Sequence, residues 1–429
     1  MKLIHYLPLT LIFLYTTQDI KSQNVKVTVP DENEVIQTDS IELPPSMTYP
    51  LDSLLSDWKS KNYIITNKEC STSPLNPSFS DSTYIDRLSR IPAIIEMPYN
   101  EVVRRFIDLF CTRLRNNFAY ELSASNFYIP IFEEALDAYG LPLELKYIPI
   151  IESGLRPSAK SRVGATGLWQ FMLRTGKVYG LECNSLVDER RDPIKSSWAV
   201  AHYLKDLYAI YNDWSLVIAA YNCGPGTLNK AIRRAGGEKN YWKIYRFLPR
   251  ETQGYLPAFI AANYVMNYYC DHNICPMETN IPLNTDTVQI TKDLYFEQIS
   301  AVCDIPIKEI QSLNPEYLRQ FIPGHIKPYT LVLPQNIISK FIDKQDSIYK
   351  YDADELFLRH EIIPVNYDKA SKRSNSSRSR GRYTYYRIKN GDSLYTIAKK
   401  YHVTVSQLKK WNRMRSSSIH PGKRLRIEK

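Results

Sequence analysis

The sequence predicts an α+β protein built from a mainly helical domain over about 84–280 and two small βααβ units over 286–335 and 383–429. Three observations carry this. Apolar residues recur at helical spacing through the middle of the chain, short β-prone stretches alternate with short helices after residue 280, and the later region matches itself at an offset of 98 residues. A length of 429 residues exceeds what one hydrophobic core organises, which fits several parts. Hydrophobic residues make up 44% and charged residues 23%, enough apolar material to bury real cores, so wholesale disorder is excluded.

The N-terminus has Lys2, a short apolar stretch from Leu3 to Tyr15 broken by Pro8, and polar sequence from Thr16. This pattern predicts a secretory signal peptide over 1–22, cleaved near Ser22. The stretch is shorter than the about 20 residues a bilayer core requires, so no stable transmembrane segment is expected. No cysteine precedes Cys70, which leaves a lipid-anchored N-terminus unsupported. The expected location is the periplasm or cell envelope, with association to the outer membrane left open. Residues 23–83 are rich in Pro, Ser, Asp and Asn and are expected to form a flexible tether.

Within the helical domain, Ile129, Phe132, Leu136 and Tyr139 mark a helix over 126–140, stopped by Gly140 and Pro142. Asp192-Pro193 opens another, with Val200, Tyr203, Leu207 and Ile210 as its apolar stripe. An apolar run from Trp214 to Tyr221 ends at Cys223-Gly224-Pro225-Gly226, and Leu256 to Tyr269 adds a further helix. In the later region Phe296, Ile299, Ile310, Leu313, Asn314 and Gly324 fall opposite Leu394, Ile397, Leu408, Trp411, Asn412 and Gly422 without a gap. A duplication explains the aligned Asn and Gly better than chance apolar matches do.

Between the copies, 336–382 reads as a linker, basic and Ser/Arg-rich from Lys369. Residues 369–429 hold 18 basic and 2 acidic side chains, net +16, so the whole-chain charge of +10 leaves −6 for residues 1–368. A basic tail of this kind is attracted to an anionic polymer, and export makes that polymer the wall or a membrane rather than nucleic acid. The seven cysteines are an odd number without CxxC pairs, so a zinc site is not indicated, at least one thiol is expected to be unpaired, and no connectivity follows.

The chemistry concentrates in LPLELKYIPIIESGLRPSAKSRVGATGLWQFM, Leu141 to Met172. Glu152 follows the apolar run of Ile148, Ile150 and Ile151, and Gly154 and Pro157 close that run. Apolar surroundings and the negative end of a helix both disfavour its anion, so its pKa should rise toward that of a general acid. A solvent-facing helix-end glutamate is the alternative. Glu152-Ser153, GLWQF at 167–171, AAYNCGPG at 219–226 and LPRETQGYLP at 248–257 together resemble lytic transglycosylases with the soluble-lytic-transglycosylase catalytic domain. The intervening VDERRDP at 187–193 resembles the membrane-bound lytic murein transglycosylase D branch in particular.

The resemblance covers about 84–275 and implies a lysozyme-like fold, no cofactor or metal, and peptidoglycan glycan strands as substrate. No second acid stands out, although most glycosidases use two. The implied mechanism needs only one. Glu152 protonates the oxygen between N-acetylmuramic acid and N-acetylglucosamine, then takes the proton of the 6-hydroxyl as that oxygen closes on the anomeric carbon, leaving a 1,6-anhydro end. By motif position, Ser161, Gln170, Met172, Tyr221 and Asn222 are implied to line the cleft and Tyr255 to approach Glu152. Structural roles stay open for each: Tyr221 as helix core, Met172 as gap filler, Asn222 as a cap. Trp169 is expected in the core, Gly164 and Gly167 at a close backbone approach to glycan, and Arg190 and Arg191 in ion pairs. Cys223 stands where the family commonly has a small residue such as Ala.

Tyr385 to Ile427 resembles a LysM module, which implies glycan binding by Gly391, Asp392, Ser393 and Leu394 in one loop and Ile419, His420 and Pro421 in another. The earlier copy has Asp293-Leu294-Tyr295 in place of the GDS turn, so it is either a second binder or a spacer packed on the catalytic domain. A goose-lysozyme-like hydrolase and a non-catalytic wall-binding scaffold are the rival functions.

Overall fold

The structure, a computed structural model, describes residues 24–30, 36–42, 73, 75–277, 282, 284–358, 383–389, 392–401, 403–412, 414, 416–420 and 422–428. The leader expected over 1–22, the basic segment 369–382, Cys70, Gly391 and Pro421 lie outside these residues. The chain divides into two compact units, one ending at Pro364 and one beginning at Val365. No helix among the described residues is long and apolar enough to cross a membrane. The fold is α+β, mostly helical with a few short strands.

The first unit opens with strands β1 (Asn24–Pro30) and β2 (Ile36–Glu42), which pair antiparallel with Asn24 opposite Glu42. This corrects the expectation of a structureless tether over 23–83. Val25, Val27 and Val29 alternate at the period of a strand, a pattern that the polar composition masks. The helical domain begins with α1 (Asp81–Arg90), where the Ser80 side chain caps the first turn, and α2 (Glu101–Cys111), capped by Asn100.

Helix α3 (Arg115–Ala138) is longer than the expected 126–140 and contains Pro130. Tertiary contact along its first half, where Phe118, Tyr120, Leu122 and Ala124 are buried, offsets what sequence periodicity alone leaves unmarked. Then come α4 (Ile148–Ser153), α5 (Leu173–Val178), α6 (Pro193–Tyr211), α7 (Trp214–Cys223), α8 (Pro225–Arg234), α9 (Tyr241–Ile244) and α10 (Arg250–Tyr268). Asp192 caps α6 by accepting from Ile194 N at 2.9 Å and Lys195 N at 3.0 Å, with Pro193 in the first turn. The buried stripe of α6 is Val200, Leu204, Leu207 and Tyr211, while Ile210 is 58% exposed, so the expected stripe is displaced by one residue at its end. Every residue of α10 from Thr252 to Met266 is buried, which makes it the central helix, packed on α2 and α7.

A small unit follows on the same compact body. Strand β3 (Thr285–Ile290) pairs with β6 (Tyr329–Pro334) around β4 (Asp293–Tyr295), α11 (Phe296–Cys303), α12 (Ile307–Leu313) and β5 (Phe321–Pro323). Where the GDS turn is missing, β4 and β5 pair, and Leu294 is fully buried. Helices α13 (Gln335–Asp343), α14 (Gln345–Lys350) and α15 (Ala353–Leu358) occupy the first part of the expected linker. Ile338, Phe341 and Ile348 join the unit's core, so the linker reading fails there because these helices have an apolar face to bury. The second unit repeats the plan with β7 (Tyr383–Arg387), α16 (Leu394–Lys400), α17 (Val405–Trp411) and β8 (Arg424–Glu428).

The duplicated asparagines do identical work. Asn314 Nδ2 donates to Ile310 O at 2.8 Å and Val332 O at 2.7 Å, and its Oδ1 accepts from Val332 N at 2.7 Å. Asn412 repeats this with Leu408 O, Arg426 O and Arg426 N at 2.8, 2.7 and 2.7 Å. Each staples the second helix of its unit to the returning strand. We expect Asn314→Ala to destabilise the first unit by on the order of 2–3 kcal/mol, because buried groups lose partners, and Asn412→Ala to cost the second unit less, its site being half-exposed. Chemical denaturation of the full chain and of each variant, followed by hydrogen exchange in the two units, measures both.

Candidate active site

Glu152 sits on the last turn of α4, a helix closed by Gly154 in the left-handed conformation at φ 58°. Ile148, Pro149, Ile150, Ile151 and Ser153 are buried, while Glu152 is only partly so. Its carboxyl therefore stands at the edge of the core rather than inside it. Burial pushes that carboxyl up to about 8, the Tyr255 hydroxyl opposes the shift by donating a hydrogen bond to Oε1, and the charge of Glu251 adds to it. Glu152 also stands at the helix end expected from sequence, and the neighbouring carboxylate is a further cause that the sequence reading did not include.

Tyr255 comes from α10 and is fully buried. Burial, then the charge of Glu152, pushes its phenol well above the ordinary range, so it remains a donor. Tyr221, from α7, donates to Trp169 O at 2.5 Å, and its phenol is raised by burial and by Glu152. Asn222 accepts from Thr252 Oγ1 at 2.7 Å and donates to Glu251 Oε1 at 3.5 Å. Glu152, Tyr221 and Tyr255 are thus brought together, and Asn222 joins them through Glu251. The Cys223 thiol is raised by burial and lies next to Thr252.

The loop from Ala159 to Met172 carries the remaining candidates. Ser161 closes a turn, its Oγ accepting from Ala165 N at 3.0 Å. Gln170 has φ 48°, and its Nε2 donates to Gly167 O at 2.8 Å and Ala159 O at 3.2 Å, so the carboxamide nitrogen holds the loop. Met172 is 45% exposed. Trp169 is buried and donates to Ser197 Oγ at 2.9 Å. Gly167 departs from the expected approach to glycan: a Cβ there would lie 1.7 Å from the carbonyl oxygen of Arg190, so the close neighbour is the protein's own backbone. Gly164 faces open space and needs glycine for its φ of 91° alone.

In the second unit Asp392 Oδ2 accepts from Tyr386 OH at 2.8 Å and Lys389 N at 2.7 Å, contacts that hold its carboxyl below the usual range. Ser393 caps α16 through Thr396 N at 3.1 Å. Leu394 is buried in the core, so its side chain does not face the loop surface as expected of a glycan contact. Ile419 packs against that core, and His420 is exposed.

Residues 130–244 match the family described as Transglycosylase SLT domain, residues 284–350 the Lytic transglycosylase MltD LysM-like domain, and residues 386–428 the LysM domain. The chain carries an SLT domain followed by two LysM-type modules. It is 26% identical over 291 residues to membrane-bound lytic murein transglycosylase D of Escherichia coli strain K12, covering 67% of this chain and 60% of that one. The chain therefore spans less than two thirds of that relative's length. It is 29% identical over 124 residues to the soluble lytic murein transglycosylase of the same strain, covering 28% of this chain and 19% of the relative. The crystal structure of the 70 kDa soluble lytic transglycosylase of Escherichia coli aligns with a TM-score of 0.30 and 26% identity over 33% of this chain and 24% of that one.

Sequence reasoning missed two residues of this group, Glu251 beside Glu152 and Thr252 on Asn222. The signal was present: Glu251 precedes Tyr255 by one helical turn on α10, so a carboxylate and a phenol share one face. Because the Tyr255 hydroxyl bond favours the ionised form of Glu152, Tyr255→Phe should move the alkaline limb of the pH–activity profile upward from about 8. Activity over a pH series, with a soluble glycan substrate, reads this shift; an unmoved limb counts against the contact.

Proposed function

We propose that this chain is a lytic transglycosylase acting on peptidoglycan glycan strands, with Glu152 as the group that moves both protons. The observation that carries the reading is a partly exposed carboxyl held near pKa 8 and oriented by a buried tyrosine. Protonated at neutral pH, Glu152 gives its proton to the glycosidic oxygen as the bond to the anomeric carbon breaks. The substrate's N-acetyl group supports the cation. The resulting carboxylate takes the proton of the 6-hydroxyl, whose oxygen bonds to the same carbon, so a 1,6-anhydro ring forms without water. Tyr221 and Tyr255 would stay neutral through both steps. Ser161, Gln170, Met172 and Asn222 are assigned to the walls of the cleft.

Export to the envelope and tethering by the C-terminal LysM module complete the proposal. The module would raise the local concentration of glycan at the SLT domain. His420 is the exposed candidate for glycan contact in the second loop, while Asp392 and Ser393 shape the first. A hydrolytic course is the second reading, and Glu251 is what favours it, because a second carboxylate beside an acid can activate water. Mass spectrometry of digested peptidoglycan separates the two: anhydro ends support the transglycosylase, and reducing ends the hydrolase.

Glu152→Gln should lower product release by about 10²–10⁴-fold with glycan binding retained. Turnover at the wild-type rate by that variant removes the central residue from the mechanism. In the wild type, kcat/KM should fall as pH rises through about 8, where the acid form is lost.

The same shift bears on stability. Between the ordinary 4.5 and about 8 the folded chain holds a proton that the unfolded carboxyl releases, so this group's contribution falls as pH rises through that window. Glu152→Gln should then be more stable than wild type above pH 8, by on the order of 2 kcal/mol, with the difference vanishing below about 4.5. Thermal melting across pH measures it.

A further inference from the structure

One buried cation holds the loop that carries Gly164 to Gln170. Arg190 pairs with Asp188 through Nε at 2.9 Å and Nη2 at 2.7 Å, both side chains being 6% exposed. Its Nη1 donates to Gly164 O at 3.0 Å and Phe171 O at 3.1 Å. Those carbonyls flank Gly167 and Gln170, and Phe171 O also accepts from Thr166 N at 3.0 Å. The fit is close, since the backbone of Arg190 leaves no space for a side chain at Gly167. A planar guanidinium can hold both oxygens of a carboxylate and two carbonyls at once, four bonds where an ammonium has only three donors.

The segment that bears Arg190 is also the seat of the first LysM-type module. Asp188 N donates to Glu316 O at 2.9 Å, Leu318 N donates to Leu186 O at 2.8 Å, and Val187 forms a bridge with Tyr317. Leu186 and Val187 are buried in the module's own hydrophobic core. Glu182 accepts from Lys327 at 2.6 Å and from Tyr329 OH at 3.1 Å. Asp188 thus faces two ways: its amide is held by the module and its carboxylate holds Arg190.

We propose that the first LysM-type module braces the cleft: by docking on residues 182–192 it fixes Arg190, a positioning residue that sets the 159–172 loop against Glu152. The proposal rests on the catalytic reading of Glu152 and assigns this module a task other than glycan capture. Loosening the module's grip then lowers activity from a distance, with no change to the groups at the acid.

The test uses the full chain with Arg190→Lys, Arg190→Ala and the module-side double variant Lys327→Met/Tyr329→Phe. Arg190→Lys should lose up to about 10²-fold in kcat/KM, the scale on which a small misplacement of positioning groups is felt. The double variant should lose less, in the same direction. Added guanidinium should restore part of the activity of Arg190→Ala and none of Glu152→Gln. Hydrogen exchange at the amides of 159–172 should quicken in Arg190→Lys and in the double variant, independent of any activity. If Arg190→Ala does not fold, the other two variants decide.

Folded Arg190→Lys with wild-type kcat/KM and unchanged loop exchange overturns the brace. So does a loss that follows only the folded fraction. Wild-type protein that releases no glycan product would instead remove the catalytic reading, while quickened loop exchange in the variants would still support the brace.

Discussion

A carboxyl stripped of much of its water yet left at the edge of the core is the constraint on which the rest of this site depends. Glu152 meets it by standing on the last turn of a short helix whose other residues are buried, so solvation is withdrawn from the side chain without sealing it in. The buried tyrosine on α10 then fixes where the carboxyl points. Because α10 is buried on all sides from Thr252 to Met266, it is held by the whole domain, and the position of Tyr255 follows from the packing of α2 and α7 around it.

The loop that carries Gly167 and Gln170 combines packing with directed contacts. The loop from Ala159 to Met172 anchors Leu168, Trp169 and Phe171 in the core, and polar contacts to its own backbone together with the Arg190 guanidinium set its turns. Buried polar networks specify a geometry when every partner is present, and here partners come from distant parts of the chain. The position of Tyr255 is thus set by hydrophobic packing, and this loop by packing together with directed hydrogen bonds.

The two LysM-type modules show how one plan diverges. Asn314 and Asn412 keep the same three hydrogen bonds, so the scaffold is retained. The loops differ. Asp392 and Ser393 shape an exposed turn in the second copy, whereas the first buries Leu294 in an extra strand pair. The first copy also carries helices α13 to α15 and shares a core with Leu186 and Val187.

Local pattern was enough to locate the second half of α3, the helices α6, α7 and α10, the duplication and Glu152, because periodicity, caps and short motifs are written in adjacent residues. Asp192-Pro193 states a helix start, and an apolar run ended by Gly154 states where its glutamate stands. The β1–β2 pair and the helices after 335 were legible too, in Val25, Val27 and Val29 and in Ile338, Phe341 and Ile348, but composition drew attention away from them. Other features were not written locally. That Glu251 charges the neighbourhood of Glu152, that Gly167 makes room for Arg190, and that Asp188 is shared between module and cleft depend on segments meeting from far along the chain. Sequence determined which residue could be the acid; only tertiary packing decided its protonation and its companions, because desolvation and charge act through space.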